Sequence, residues 1–399
     1  MKHFLKQLRR VKLREILDVW KLILAIVPAI MLRLRYPDLW IVCEDENEAR
    51  DNGYWFFKYV REHHPSQRII YAIKSASPDY GKVRRLGWTV EHGSFMHYVY
   101  YLASSKKISS QKSGNPNPAL FYFLEVYGIL KDKRVFLQHG VTINNAKWLY
   151  YDVTRMNRFI CGAYPEYEYI SSVFGYPEKN VCYTGFCRFD NLHDHKTEKI
   201  ILVMPTWREW IADEDYRLKL YEGTEDIPKT NYFRMWTDFI NSPEIPEICE
   251  KYGYRFIFFP HRNMQKYLEY FPKGNEYISI MTAKNIDIQE LLKKSAVMIT
   301  DYSSVCFDFI YMKKPLIFYQ FDYDMFRKGQ YGEGYFDYRN NPFAKSFPDK
   351  KEVFKELDRI LGESENTAVS EEYLKAHKEH FRKYDRDNCK RVFDVVKNL

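Results

Sequence analysis

The chain has 399 residues, of which 46% are apolar and 18% aromatic, with a net charge of +8. That length and apolar content suit two or three domains with ordinary cores and exclude a disordered chain. Seven cysteines, at 43, 161, 182, 187, 249, 306 and 389, are odd in number and never fall as Cys-x-x-Cys; neither a disulfide framework nor a zinc ribbon is indicated, and a reducing compartment follows.

The charge is uneven. Lys2, Lys6, Arg9, Arg10, Lys12, Arg14, Lys21, Arg33 and Arg35 crowd the start of the chain against Glu15, Asp18 and Asp38. Between them residues 20–32 are an apolar run broken by Lys21 and Pro28. The run falls short of the roughly 20 residues that span a bilayer, and no small-residue cleavage site follows it. Basic residues flanking Leu5, Leu8, Leu13, Ile16, Leu17 and Trp20 predict an amphipathic leader over 1–35 lying in an anionic lipid interface. The alternative is a helix packed on its own domain with a solvated basic face.

Beyond the leader, short apolar strands alternate with amphipathic stretches, the pattern of parallel sheets covered by helices. Strands are expected at 39–43, 68–73, 88–90, 107–109, 135–138, 159–161 and 181–183, then at 200–204, 255–259, 277–280, 297–299 and 316–319. The polar piece 191–199 joins the two series, giving a domain over 36–192 and another over 193–399 whose last helix can cross back. Residues 209–230, rich in charge and poor in periodicity, read as a long loop able to cross a cleft. Two Rossmann-like domains facing a cleft, with a basic amphipathic helix in front, describe an α/β architecture of the GT-B type, common among nucleotide-sugar transferases.

In open α/β sheets ligands bind beyond the carboxyl ends of the strands. Polar residues gather at four such ends: His139-Gly140, Thr206-Trp207-Arg208, His261-Arg262-Asn263 and the turn from Asp301 to Ser304. In that turn Asp301, Ser303 and Ser304 supply capping side chains where a helix starting near Val305 leaves its first amides unpaired. Amides, hydroxyls and helix dipole together make an anion site; plain capping is the competing reading. Imidazole titrates near neutrality, so His139 can take a proton from an alcohol, and Gly140 lets substrate or backbone approach closely. Arg208, His261 and Arg262 can neutralise a diphosphate and a departing nucleotide, or can equally be structural hydrogen-bonders and surface cations. No Walker A or Gly-x-Gly-x-x-Gly follows a strand, which weighs against ATP hydrolysis and dinucleotide binding. No acidic or His cluster has metal-ligand spacing; Asp322, Asp324 and Asp337 read as solvated loop acids rather than a magnesium site.

Taken together, Gln138-His139-Gly140, Thr184-Gly185-Phe186-Cys187-Arg188-Phe189-Asp190, Met204-Pro205-Thr206-Trp207-Arg208, Phe259-Pro260-His261, the run 299–305 with Phe307-Asp308, Lys314-Pro315-Leu316-Ile317-Phe318-Tyr319 and Gly334-Tyr335-Phe336-Asp337-Tyr338 form an ordered set. In order and spacing the set resembles the CDP-glycerol glycerophosphotransferase family of teichoic acid synthesis. The resemblance implies a metal-independent GT-B enzyme with no cofactor and no nucleic-acid partner. It would move glycerol phosphate from CDP-glycerol to a hydroxyl of an undecaprenyl-diphosphate-linked saccharide or growing polymer and release CMP, as a peripheral protein on the cytoplasmic face of the cell membrane. On that resemblance His139 is the base; His261, Ser303 and Ser304 contact the donor diphosphate; Asp301 shapes their turn and Arg208 is a further phosphate contact. Gly140, Thr206 and Arg262 are support. Two departures bear on the donor alcohol and acceptor rather than the fold: Val141-Thr142-Ile143 stands where many relatives have a Thr-Pro step, and Arg262 where many have Pro. Other readings are transfer of another CDP-alcohol such as CDP-ribitol, a GT-B glycosyltransferase in which attack falls on carbon, and a non-catalytic membrane-associated scaffold.

Overall fold

Runs of Ile, Val, Phe and Tyr, side chains that pack well on a pleated surface, form two parallel sheets. The computed structural model describes residues 16–112, 114–212, 227–282, 286–363 and 369–399. One sheet contains β1 (Trp40–Cys43), β2 (Ile69–Ile73), β3 (Trp88–Glu91), β4 (Lys106–Ser109), β5 (Lys133–Phe136), β6 (Arg158–Cys161) and β7 (Val181–Tyr183). The other contains β8 (Ile200–Met204), β9 (Arg255–Phe258), β10 (Ile278–Ile280), β11 (Val297–Thr300), β12 (Leu316–Tyr319) and β13 (Ala344–Phe347).

The orders are β3-β2-β1-β4-β5-β6-β7 and β10-β9-β8-β11-β12-β13. Both are doubly wound, with the strand order reversing between β1 and β4 and between β8 and β11. β1, β2, β8, β11 and β12 are buried at every residue, as expected of parallel strands covered by helices on both faces. β13 carries no apolar run and is half-exposed; it is absent from the sequence expectation because Ala-Lys-Ser-Phe is a short edge strand with a lysine on it, the kind of sequence that discourages further pairing.

The chain divides into two units. Unit 1 is Met1–Val141, Lys147–Asn191 and Lys383–Leu399, and unit 2 is Thr142–Ala146 and Leu192–Arg382. The Asn388–Lys397 helix lies in unit 1, the crossing back allowed for the last helix, while a five-residue strap, Thr142–Ala146, belongs to unit 2, which a single cut after 192 does not contain.

Helix Val19–Arg35 is part of unit 1 rather than a separate leader. It packs along the Phe95–Ala103 helix, placing Ala25 and Ala29 in one core cluster with Tyr98, Val99 and Phe121. Lys21 pairs with Asp18 at 2.8 Å and donates to the Gly93 carbonyl at 3.3 Å. The opposite face leaves Trp20, Ile23, Leu24, Val27, Ile30, Met31 and Leu34 exposed, Leu34 by 79%, and Arg33 and Arg35 occupy the last turn. Among the described residues no helix is long and apolar enough to cross a membrane. Residues 1–15, which hold most of the predicted basic cluster, lie outside the described residues, as do 213–226 of the predicted long loop.

Candidate active site

The strand-end turn of unit 2 sits at the reversal of strand order. Thr300 Oγ1 donates to the Met204 carbonyl at 2.7 Å, and the Thr206 amide donates to Asp301 Oδ1 at 2.8 Å, so the ends of β11 and β8 are stitched together. Asp301 Oδ1 also accepts from the Tyr302 amide at 2.7 Å. Its carbonyl accepts from Gln320 at 2.9 Å, and the Tyr302 carbonyl accepts from Tyr338 at 3.0 Å. Every residue of the turn is buried except Ser303, Ser304 and Val305, which are half-buried. The helix expected to start near Val305 has Val305 as its N-cap and runs six residues, Cys306–Tyr311. Of the predicted caps, Ser303 takes the Val305 amide at 3.3 Å, while Asp301 takes the amides of Tyr302 and Thr206. A six-residue helix offers little dipole, so anion binding by this turn would have to draw on the Ser303 and Ser304 hydroxyls and local amides.

Arg208 is corrected from a phosphate contact to an internal support, because its side chain has no exposed surface. Nε and Nη2 grip Asp322 at 2.7 and 3.0 Å, Nη2 lies 2.8 Å from Asp301 Oδ2, and Nη1 donates to the Thr206 carbonyl at 2.9 Å. The rings of Tyr232 and Tyr302 lie 5.0 Å from the guanidinium and that of Phe326 at 5.4 Å. Burial works against the charge, but Asp322 and Asp301 outweigh it and hold the guanidinium above its ordinary pKa. Asp322 is thus a buried counter-ion, not a solvated loop acid. Its place just after β12, a strand end like the others, was the available signal.

His261 follows β9, its amide donating to the Pro205 carbonyl at 3.1 Å. Nδ1 accepts from the Asn263 amide at 3.2 Å, which assigns the neutral tautomer with the proton on Nε2, a donor. The half-buried indole of Trp207 stacks against this ring at 6.1 Å and 27°. Arg262 is exposed and Thr206 buried.

In unit 1, β5 stops at Phe136, short of the predicted 138, because Gln138 turns into the left-handed region with φ of 59°. His139 follows, exposed, and Gly140 is buried. Two residues past Gly140 the chain enters the strap of unit 2, where Asn144 accepts from Arg327 at 2.7 Å and the Asn145 amide donates to the Gly332 carbonyl at 3.1 Å. Among the described residues no group of three or more His, Cys, Asp or Glu is arranged to hold a metal ion.

Two doubly wound parallel domains with polar residues gathered at strand ends make this a GT-B-like α/β protein. Residues 29–398 match the profile described as CDP-Glycerol:Poly(glycerophosphate) glycerophosphotransferase, and the chain belongs to that family. It is 29% identical to the minor teichoic acid biosynthesis protein GgaB of Bacillus subtilis (strain 168) over 90% of this chain and 40% of the relative. It is 22% identical to a teichoic acid poly(glycerol phosphate) polymerase of Staphylococcus epidermidis over 78% of this chain and 44% of the relative. The chain thus spans less than half the length of these curated relatives. Its fold is similar to that of the wall teichoic acid polymerase TagF, with a TM-score of 0.65 and 18% identity over 99% of this chain and 98% of that one.

Proposed function

We propose that the chain transfers glycerol phosphate from CDP-glycerol to a hydroxyl of a lipid-linked saccharide or growing poly(glycerol phosphate), releasing CMP, in the synthesis of teichoic acid or a related surface polymer. The family match over 29–398 carries this reading. The acceptor oxygen attacks the phosphorus that bears glycerol, the phosphorus–oxygen bond to CMP breaks, and the hydroxyl proton passes to His139. Phosphoryl transfer of this kind asks the protein for a base on one side and charge stabilisation on the other. Ser303, Ser304 and the Nε2 proton of His261 serve the donor diphosphate. Asp301 and Arg208 hold the turn that presents the two serines, with Thr206 as its tether. Gly140 leaves room beside the base, and Arg262 adds positive charge near His261.

The exposed apolar stripe of the Val19–Arg35 helix, with Arg33 and Arg35 at its end, suits a helix lying in an anionic lipid interface. Peripheral attachment at the cytoplasmic face of the membrane gives access to an undecaprenyl-diphosphate-linked acceptor.

The test is CMP release, with mass analysis of the product, from CDP-glycerol, CDP-ribitol and common nucleotide sugars. CMP from CDP-glycerol with the acceptor extended by glycerol phosphate is expected. Turnover of a sugar donor and of no CDP-alcohol overturns the reading, and CMP from CDP-ribitol alone replaces the alcohol. His139→Ala should still bind donor but transfer slower by about two to four orders of magnitude.

A further inference from the structure

We infer that Gln138 is a positioning residue for the imidazole beside it: a buried clamp holds its backbone in the left-handed region and thereby fixes where His139 stands. The inference rests on the proposed role of His139 as base.

Among the described residues the non-glycine positions with positive φ are Gln138, Arg155 and Lys313. Arg155 caps the Tyr151–Thr154 helix, and Lys313 comes just after the Cys306–Tyr311 helix, where left-handed residues commonly end a helix. Gln138 instead follows a strand. A side chain there costs about 1–2 kcal/mol relative to ordinary backbone, and such strain persists only where the surroundings over-determine it.

They do so here from both sides. The Gln138 side chain is 1% exposed and Glu166 and Asn52 are 0% exposed. Gln138 Nε2 donates to the Ile160 carbonyl at 2.7 Å and to Glu166 Oε1 at 2.9 Å. Glu166 Oε2 is fixed in turn by the amides of Gly162 at 2.7 Å and Ala163 at 3.3 Å. On the backbone side, Asn52 Nδ2 donates to the Gln138 carbonyl at 2.7 Å and to that of Leu137 at 3.3 Å, while Asn52 Oδ1 accepts from the Arg188 amide at 3.1 Å. The carbonyl of the peptide leading into His139 is therefore pinned. A glycine would take up the same φ without strain but would have no amide to give Glu166. The glutamine accepts local strain and gives the chain a defined exit from the sheet, with residue 138 buried and residue 139 exposed.

The test compares wild type, Gln138→Gly, Gln138→Asn and His139→Ala, with CDP-glycerol and a short-chain glycerol-phosphate-primed analogue of a prenyl-diphosphate-linked saccharide. Asparagine accepts the left-handed region readily and stops one methylene short of Glu166, so it removes the clamp even if the glycine variant does not fold. Both Gln138 variants should lose about tenfold to a hundredfold in kcat, as a small misplacement of a reacting group does. The donor KM should stay within about twofold, and the acid limb of the pH–rate profile should survive, since the imidazole itself is unchanged. A fall in stability alone, with kcat kept in the folded fraction, overturns the inference. So does wild-type kcat in either Gln138 variant while His139→Ala is inactive, an outcome that leaves the base assignment standing. Activity in His139→Ala overturns that assignment, and the inference with it.

Discussion

Arg208 and Asp322 form a two-pronged ion pair inside unit 2, Nε to Oδ2 at 2.7 Å and Nη2 to Oδ1 at 3.0 Å, and the turn that carries Ser303 and Ser304 is built around it. Removing one partner of a buried pair leaves an uncompensated charge, typically at about 3–5 kcal/mol. Asp322→Ala should lower the urea unfolding midpoint accordingly. Arg208→Lys should lower it too, because an ammonium cannot fork onto two carboxylates. An unchanged midpoint in Asp322→Ala refutes the structural role.

Ser303 and Ser304 are expected to separate into two effects. Ser303 also takes the Val305 amide, so Ser303→Ala should lose about 1 kcal/mol of stability, whereas Ser304→Ala should lose little. Each hydroxyl on a diphosphate oxygen is worth about 1.5–3 kcal/mol, so each variant should weaken CDP-glycerol binding by roughly tenfold or more. Calorimetric titration reads both, and wild-type affinity in the double variant removes these serines from the donor site.

The strap of unit 2 predicts a contrast between two glycines. A Cβ on Gly334 would overlap the Ile143 carbonyl oxygen and crowd Asn144 Cα, backbone that cannot turn aside, whereas a Cβ on Gly332 would meet Asn145 Cβ at an ordinary 3.5 Å. Gly334→Ala should therefore lower the thermal midpoint by the equivalent of about 1–3 kcal/mol, and Gly332→Ala by under about 1 kcal/mol. Equal midpoints contradict the packing.

For the Val19–Arg35 helix, Val27→Glu with Met31→Glu changes only the outward stripe. Binding to vesicles containing anionic phospholipid should fall at least about tenfold, with the melting temperature and the turnover of a soluble acceptor kept. Ala25→Glu, by contrast, should destabilise unit 1, since Ala25 is fully buried. Undiminished vesicle binding by the outward variant ends the lipid-interface reading.

Burial pushes His377 down to about 4, its Nε2 proton donated to the Tyr311 carbonyl at 3.1 Å. Between the ordinary value of about 6.5 and that lower one, the unfolded chain binds the proton and the folded chain does not. Stability is therefore lost as pH falls through this window. Wild type should lose about 2–3 kcal/mol more than His377→Gln between about pH 7.5 and about pH 4.5 in urea titrations. Parallel losses in the two proteins exclude His377 as the source.

Much of this protein was legible in the chain itself. Most strands show as short apolar runs, and the polar groups at their ends stand out because a buried parallel strand must give way to a hydrated edge. What local pattern does not contain is the identity of partners far along the chain. Arg208 reads as an available cation until Asp322, 114 residues on, closes over it. The run ending in Gln138 reads as one continuous strand until Asn52, 86 residues before, and Glu166, 28 after, bend it. A side chain's type sets which interactions it can make, and burial among distant residues decides which of them it has left to offer a substrate.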